Sequence, residues 1–231
     1  MDWYTFKRHT RQYLAELNKD KKVLEYCLFQ PGLFTNYFTL PYTSTKHVKA
    51  IETQFDFENR RAVIREGAES DYLTLTTVKD LANVVALAVD YQGEWPVTGG
   101  IRGSRISIKE FLALGEEIRG WSPYPLSIHA SSSVVVPFTN QGGSGGPFTI
   151  ERIPNEDLEK GTWTASWLPR LDHPSIPLEF VETLSKKMVG GISLAIGAGA
   201  FDVGDEWNRL LPDYEFTDAK VFLKKAWDGK P

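Results

Sequence analysis

Val23-Leu24-Glu25-Tyr26-Cys27-Leu28-Phe29, followed at once by Gln30-Pro31-Gly32, is where the architecture of this chain is most legible. The run is short and mostly apolar, which suits a buried strand, and Pro with Gly ends the pairing and opens a turn. Upstream, Trp3 to Leu17 has Phe6, Leu14 and Leu17 on or near one face with polar residues between, the pattern of a helix. The charged turn Asn18-Lys19-Asp20-Lys21-Lys22 joins the two. Helix, tight turn and strand in this order make half of a βαβ unit. The strand that should precede the helix is missing from this sequence, so the expected sheet carries fewer parallel strands than a complete doubly wound domain. The chain is expected to be α/β and to lack an N-terminal segment.

Farther along, Gln54 to Glu66 and Tyr72 to Thr76 read as strands separated by the polar turn Gly67-Ala68-Glu69-Ser70. Thr77-Val78-Lys79-Asp80 has capping-box spacing, with Asp in place of Glu, and opens the amphipathic run Leu81 to Val89. Ser107-Ile108-Lys109-Glu110 is a fuller capping box ahead of Phe111-Leu112-Ala113-Leu114. Further helices are expected near Ile153–Lys160, Leu178–Leu194 and Thr217–Trp227. From Trp121 to Gly146 the chain turns Ser-, Pro- and Gly-rich and holds no Asp, Glu, Lys or Arg. Such an irregular insert is expected to be a protruding loop with too little apolar surface to offset its ordering entropy.

Bulk composition narrows the function classes. The 231 residues are 42% hydrophobic, enough to bury one sizeable core. A net charge of −4 with scattered basic residues argues against a nucleic-acid partner held by many phosphate contacts. The one cysteine, Cys27, excludes an intrachain disulfide and reads as a small core residue in a reducing compartment. The start of the chain has no apolar signal core, and the longest apolar stretch, Met188 to Phe201, is too short to span a bilayer. A cytoplasmic protein with no membrane partner is expected.

Several motifs fail on context. Gly142, Ser144 and Gly146 satisfy G-x-S-x-G, but Pro147-Phe148-Thr149-Ile150 is a poor helix start and a nucleophile elbow needs one. His129 and His173 would be the partners to test. The four histidines, His9, His47, His129 and His173, lack metal-ligand spacing, so no metal site is expected. The acids Asp56, Glu58, Glu66, Glu69 and Asp71 read mainly as surface charges. Neither Gly99-Gly100-Ile101-Arg102-Gly103 nor Gly197-Ala198-Gly199 sits between a strand and a helix at the spacing that cradles a pyrophosphate.

Three stretches in order resemble fungal NmrA-like proteins related to isoflavone reductases, which are atypical short-chain dehydrogenases. They are Trp3-Tyr4-Thr5-Phe6-Lys7 with the run to Phe38; Leu73 to Asp90 continuing through Gly93-Glu94-Trp95-Pro96-Val97-Thr98-Gly99-Gly100-Ile101-Arg102-Gly103; and Asp205-Glu206-Trp207-Asn208 to the terminal Asp228-Gly229-Lys230-Pro231. The resemblance covers nearly everything but Trp121–Gly146. It implies one incomplete domain over 1–231. Residues 1–40 would be the remnant of a Rossmann-like NAD(P)-binding core, and 41–231 mainly a mixed α/β substrate-binding subdomain. By resemblance Lys7 is the family's catalytic lysine beside the nicotinamide, and Gln30, Pro31, Gly32 and Phe34 line the cofactor and substrate pocket. Lys7 as a solvated lysine, and the turn with Phe34 and Tyr37 as plain packing, remain open beside these roles. NADP or NAD is the implied cofactor and a small organic molecule the implied substrate. The glycine-rich turn that binds pyrophosphate at a helix N-terminus has no counterpart in the sequence. Hence a redox-sensing binding module and a cofactor-free biosynthetic enzyme stand as alternatives to a reductase.

Overall fold

The computed structural model describes residues 5–120, 146–171 and 176–231. The chain is mixed α/β, with 43% helix and 15% strand divided among small mixed sheets. Strand β1 (Leu28–Gln30) runs parallel to β6 (Thr98–Gly100). β2 (Leu33–Phe34) runs parallel to β5 (Tyr72–Thr76), which pairs antiparallel with β7 (Ser104–Ser107). β3 (Phe55–Asp56) turns back on β4 (Arg61–Arg65), and β4 pairs in parallel with β8 (Thr149–Ile153).

Two strands are shorter than the sequence suggests, each for a local reason. The strand expected over residues 23–29 begins only at Leu28, whose amide donates to the Val97 carbonyl at 2.8 Å. Asn18 takes the backbone before it: its Oδ1 accepts the Val23 and Leu24 amides, each at 3.0 Å, and its Nδ2 donates to the Leu24 carbonyl at 2.7 Å. Val23 is left 63% exposed. The long strand expected over 54–66 splits into the β3–β4 hairpin. Asp56 captures both the Asn59 amide and its side chain, and Arg61 returns to Asp56 at 2.8 Å.

Helix α1 spans Thr5–Leu17, α2 Val78–Asp90, α3 Ile108–Ile118, α4 Asn155–Lys160, α5 Leu178–Gly197, α6 Glu206–Leu210 and α7 Ala219–Trp227. Both capping signals act as expected. The Thr77 hydroxyl accepts the Asp80 amide at 3.0 Å, and Ser107 and Glu110 cap each other reciprocally. β6, β7, β8 and α6 were not anticipated. β6 is Thr-Gly-Gly, with weak intrinsic strand preference, and is a strand because β1 lies beside it.

Of the three buried apolar clusters that carry these elements, two bear on the site. One is aromatic: Phe38, Phe55 and Phe57 gather round Phe111, Phe148 packs on Phe57, the Phe38 and Phe111 centroids are 4.7 Å apart, and Trp227 Nε1 of α7 donates to the Phe38 carbonyl at 2.9 Å. The other surrounds Trp207, fully buried and stacked on Phe29 at 5.5 Å, with Val84, Ala88 and Ile101. Gly99 of β6 must be glycine, because a Cβ there would strike the Cys27 sulfur and the Trp207 indole. Cys27 is accordingly a packing residue; Trp207 Nε1 donates to its sulfur at 3.3 Å, and burial pushes its thiol pKa up.

Helix α6 staples the segment after β6 through its polar side chains. Glu206 accepts the Gly100 amide at 2.8 Å. Asn208 accepts the Arg102 amide at 2.9 Å and donates to the Arg102 carbonyl at 2.8 Å. Helix α1 is the opposite case. None of its side chains is fully buried, and Phe6 is 80% exposed. The insert 121–146, apart from Gly146, lies outside the described residues, as do Ser144, His129 and His173. Its flanks meet, since Glu116 accepts the Phe148 amide at 3.0 Å. No described helix is long and apolar enough to cross a membrane.

Candidate functional site

Because β1 and β6 are parallel and in register from Leu28 opposite Thr98 to Gln30 opposite Gly100, their carboxyl ends finish side by side. Open α/β sheets collect ligands outside such ends. The chain leaves β1 through Pro31 and Gly32. Gly32 has φ +67°, and a Cβ there would run into the Thr74 carbonyl of β5, so only glycine lets the turn pass this close.

Helix α1 forms a second wall and presents Lys7, Arg8 and Arg11. The third wall is the end of α5 and the loop after it. There the Ala200 amide donates to the Ala195 carbonyl and the Gly199 amide to the Ile196 carbonyl, both at 2.9 Å, the paired bonds of a Schellman ending. β5 anchors the loop: the Thr74 amide donates to the Phe201 carbonyl at 2.8 Å and the Thr74 hydroxyl accepts the Val203 amide at 3.2 Å. Between the walls is a cavity of about 810 Å³, within the usual volume range of small-molecule sites.

Four of the five residues expected at a site therefore share one cavity: Lys7, Gln30, Pro31 and Gly32. Phe34 is not among its lining residues. Its ring stands perpendicular to Tyr37 at 5.7 Å, where it leads into the short 3-10 helix Thr35–Thr39, so packing is the role it shows. Arg8, Arg11 and the loop 199–204 were not anticipated. The Lys7–Arg11 spacing of four was a usable signal, since it places both on one helix face. The loop gave none beyond the glycines of 197–199.

The charges of the cavity are unequal. Among the described residues its lining includes Lys7, Arg8 and Arg11 and one carboxylate, Asp202. Asp202 is engaged by a two-pronged pair with Arg105, at 2.7 Å to each oxygen, which holds its pKa below the ordinary carboxylate value. None of the five acids singled out in the sequence is among the lining residues, and three of them sit in ion pairs: Asp56 with Arg61, Asp71 with Arg65 and Glu69 with Arg152. Among the described residues no group of His, Cys, Asp or Glu could hold a metal ion. Comparison with protein-family models, characterised proteins and solved structures finds no match to this chain.

Proposed function

We propose that the cavity is the nicotinamide and substrate end of an NAD(P)-dependent reductase of the NmrA-like, isoflavone-reductase-like kind, acting on a small organic molecule. One observation supports this most: a lysine on α1 and the Gln30-Pro31-Gly32 turn, distant in mechanism unless they share a ligand, line the same cavity at the carboxyl ends of two parallel strands. In this reading the chain belongs to a Rossmann-like fold, with β1 and β6 as parallel strands of its nucleotide-binding sheet. Gln30 and Gly32 border the nicotinamide. Lys7 orients the ribose or assists proton transfer, a role open to a side chain with N–H donors at the cavity wall.

The sequence carries no glycine-rich pyrophosphate turn, so this chain alone is expected to hold NADPH no better than the nicotinamide half of it. Both NADPH and reduced nicotinamide mononucleotide should bind at roughly 0.1–1 mM, since a small ligand must offset its lost rigid-body freedom with few contacts. Amide NMR spectra should shift at Gln30–Gly32 and along 199–204. If saturating mononucleotide leaves those amides unmoved, the reading fails. Low-micromolar NADPH binding would overturn the account of the missing turn. With enone or carbonyl substrates added, Lys7→Ala should lower turnover more than affinity; binding without any turnover would make the protein a cofactor sensor instead.

A further inference from the structure

Among the described residues two arginines of the cavity, Arg8 and Arg11, bear on the kind of molecule it takes. Among the described residues the charged side chains of its lining are Lys7, Arg8, Arg11 and Asp202, and Asp202 is committed to Arg105 by two 2.7 Å contacts. The other source of negative potential is the carboxyl end of α5, where two carbonyls, those of Ala195 and Ile196, are occupied by the Ala200 and Gly199 amides. Among the described residues no ion pair engages Arg8 or Arg11. The same cavity is also lined by the apolar residues Phe29, Pro31, Phe201 and Val203.

We infer that the substrate is an amphiphilic oxyanion, an apolar ring system carrying a carboxylate or phosphate, with the anion against Arg8 and Arg11 and the ring against Phe29 and Phe201. The inference rests on the reading of this cavity as the ligand site. It adds a charge requirement that a reductase of neutral enones does not have. Guanidinium groups suit the task because they grip a planar oxyanion with two parallel N–H donors. Both arginines are exposed to solvent, so the attraction is screened by salt and modest per residue.

The test uses the 231-residue chain and three intrinsically fluorescent probes, 2-naphthoate, 2-naphthyl phosphate and the uncharged 2-naphthamide. Both anions should bind at least about ten-fold tighter than the amide at low ionic strength, and the gap should close as salt approaches a Debye length of about 3 Å at 1 M. Arg8→Gln and Arg11→Gln should each weaken the anions by about five-fold and leave the amide unchanged; circular dichroism checks that these surface variants keep their helix. The ratio of naphthoate to naphthyl phosphate tells which head group the arginines prefer.

Equal affinity for anion and amide, or anion binding indifferent to both arginines, overturns the inference. So does absence of naphthoate and naphthyl phosphate binding. Repeating the titration with saturating reduced nicotinamide mononucleotide separates the two proposals. If naphthoate still binds, the arginines serve the substrate. If it is displaced competitively, they serve the phosphate of the mononucleotide and the substrate inference falls, while the nicotinamide reading stands. If the mononucleotide does not bind but naphthoate does, the nicotinamide reading fails and the oxyanion site remains.

Discussion

Replacing Asp80 should expose how the fold is tied together. Its carboxylate is 1% exposed and lies in the first turn of α2. It accepts hydrogen bonds from the Thr77 hydroxyl at 2.7 Å, the Tyr214 hydroxyl at 2.8 Å, the Thr217 hydroxyl at 3.1 Å and the Thr217 amide at 3.3 Å. Each bond to a charged acceptor contributes about 1.5–3 kcal/mol, but deleting the carboxylate also removes its desolvation cost. Tyr214 and Thr217 are half-buried, so water can reclaim part of what they lose. The net expectation for Asp80→Ala is about 3 kcal/mol, most of it from donors left without acceptors. Asp80→Asn keeps one acceptor and the shape but loses the favourable charge at the helix N-terminus, so about 1.5–2 kcal/mol is expected. Tyr214→Phe should cost about 1 kcal/mol, and the double variant should show about 1 kcal/mol of coupling with Asp80→Ala. Urea unfolding followed by tryptophan fluorescence measures the four variants against the parent. A midpoint for Asp80→Ala within about 0.3 M of the parent, or a strictly additive double variant, would show that the carboxylate does not bind these segments to one another.

Trp207→Ala empties the centre of the second core, where the indole stacks on Phe29, so a loss of about 3–5 kcal/mol is expected in the same assay; a loss under about 1 kcal/mol refutes that placement. Asp202 has a folded pKa below its unfolded value of about 3.9 because Arg105 bonds it, so its contribution is present above that pH and drains away as pH falls through the folded value. Asp202→Asn should therefore flatten the acid limb of stability below about pH 4, and an unchanged limb would count against the pair. Excising residues 121–145 should leave the fold intact and raise stability by up to about 2 kcal/mol through shorter loop closure, since Glu116 and Phe148 already meet. A chain that fails to fold after that excision would show the segment to be structural.

Local signals in the sequence carried the elements whose cause is local. Thr77 with Asp80 and Ser107 with Glu110 are self-contained caps, and α2 and α3 start where those side chains say. The stretch before Leu28 misled because the competing partner, Asn18, lies outside the apolar run and consumes its backbone through a side chain. β6 and β8 are held by strands far away in the chain, so their own residues gave little sign of them. The same division applies to the cavity. Lys7 and Gln30-Pro31-Gly32 were marked by resemblance, whereas loop 199–204 became part of it only through tertiary bonds to Thr74, which no spacing encodes. Phe34 lies next to the predicted turn in sequence but turns its ring toward Tyr37, because a 3-10 helix redirects the backbone at that point.

Helix α1 supplies the cationic wall of the cavity without burying any side chain fully, and Tyr13 is 64% exposed. An element with so little interior contact opens at low free energy, so its amides should exchange with solvent well before those of α2 or α3. The cavity is complete only while that helix is docked, and any ligand's apparent dissociation constant is its intrinsic value divided by the docked fraction. If α1 were docked a tenth of the time, affinity would fall about ten-fold with no contact altered. Conversely, an anion bridging Arg11 and the Phe201 side of the cavity would slow exchange along α1. Ligand occupancy and helix protection are then the same equilibrium measured from two sides.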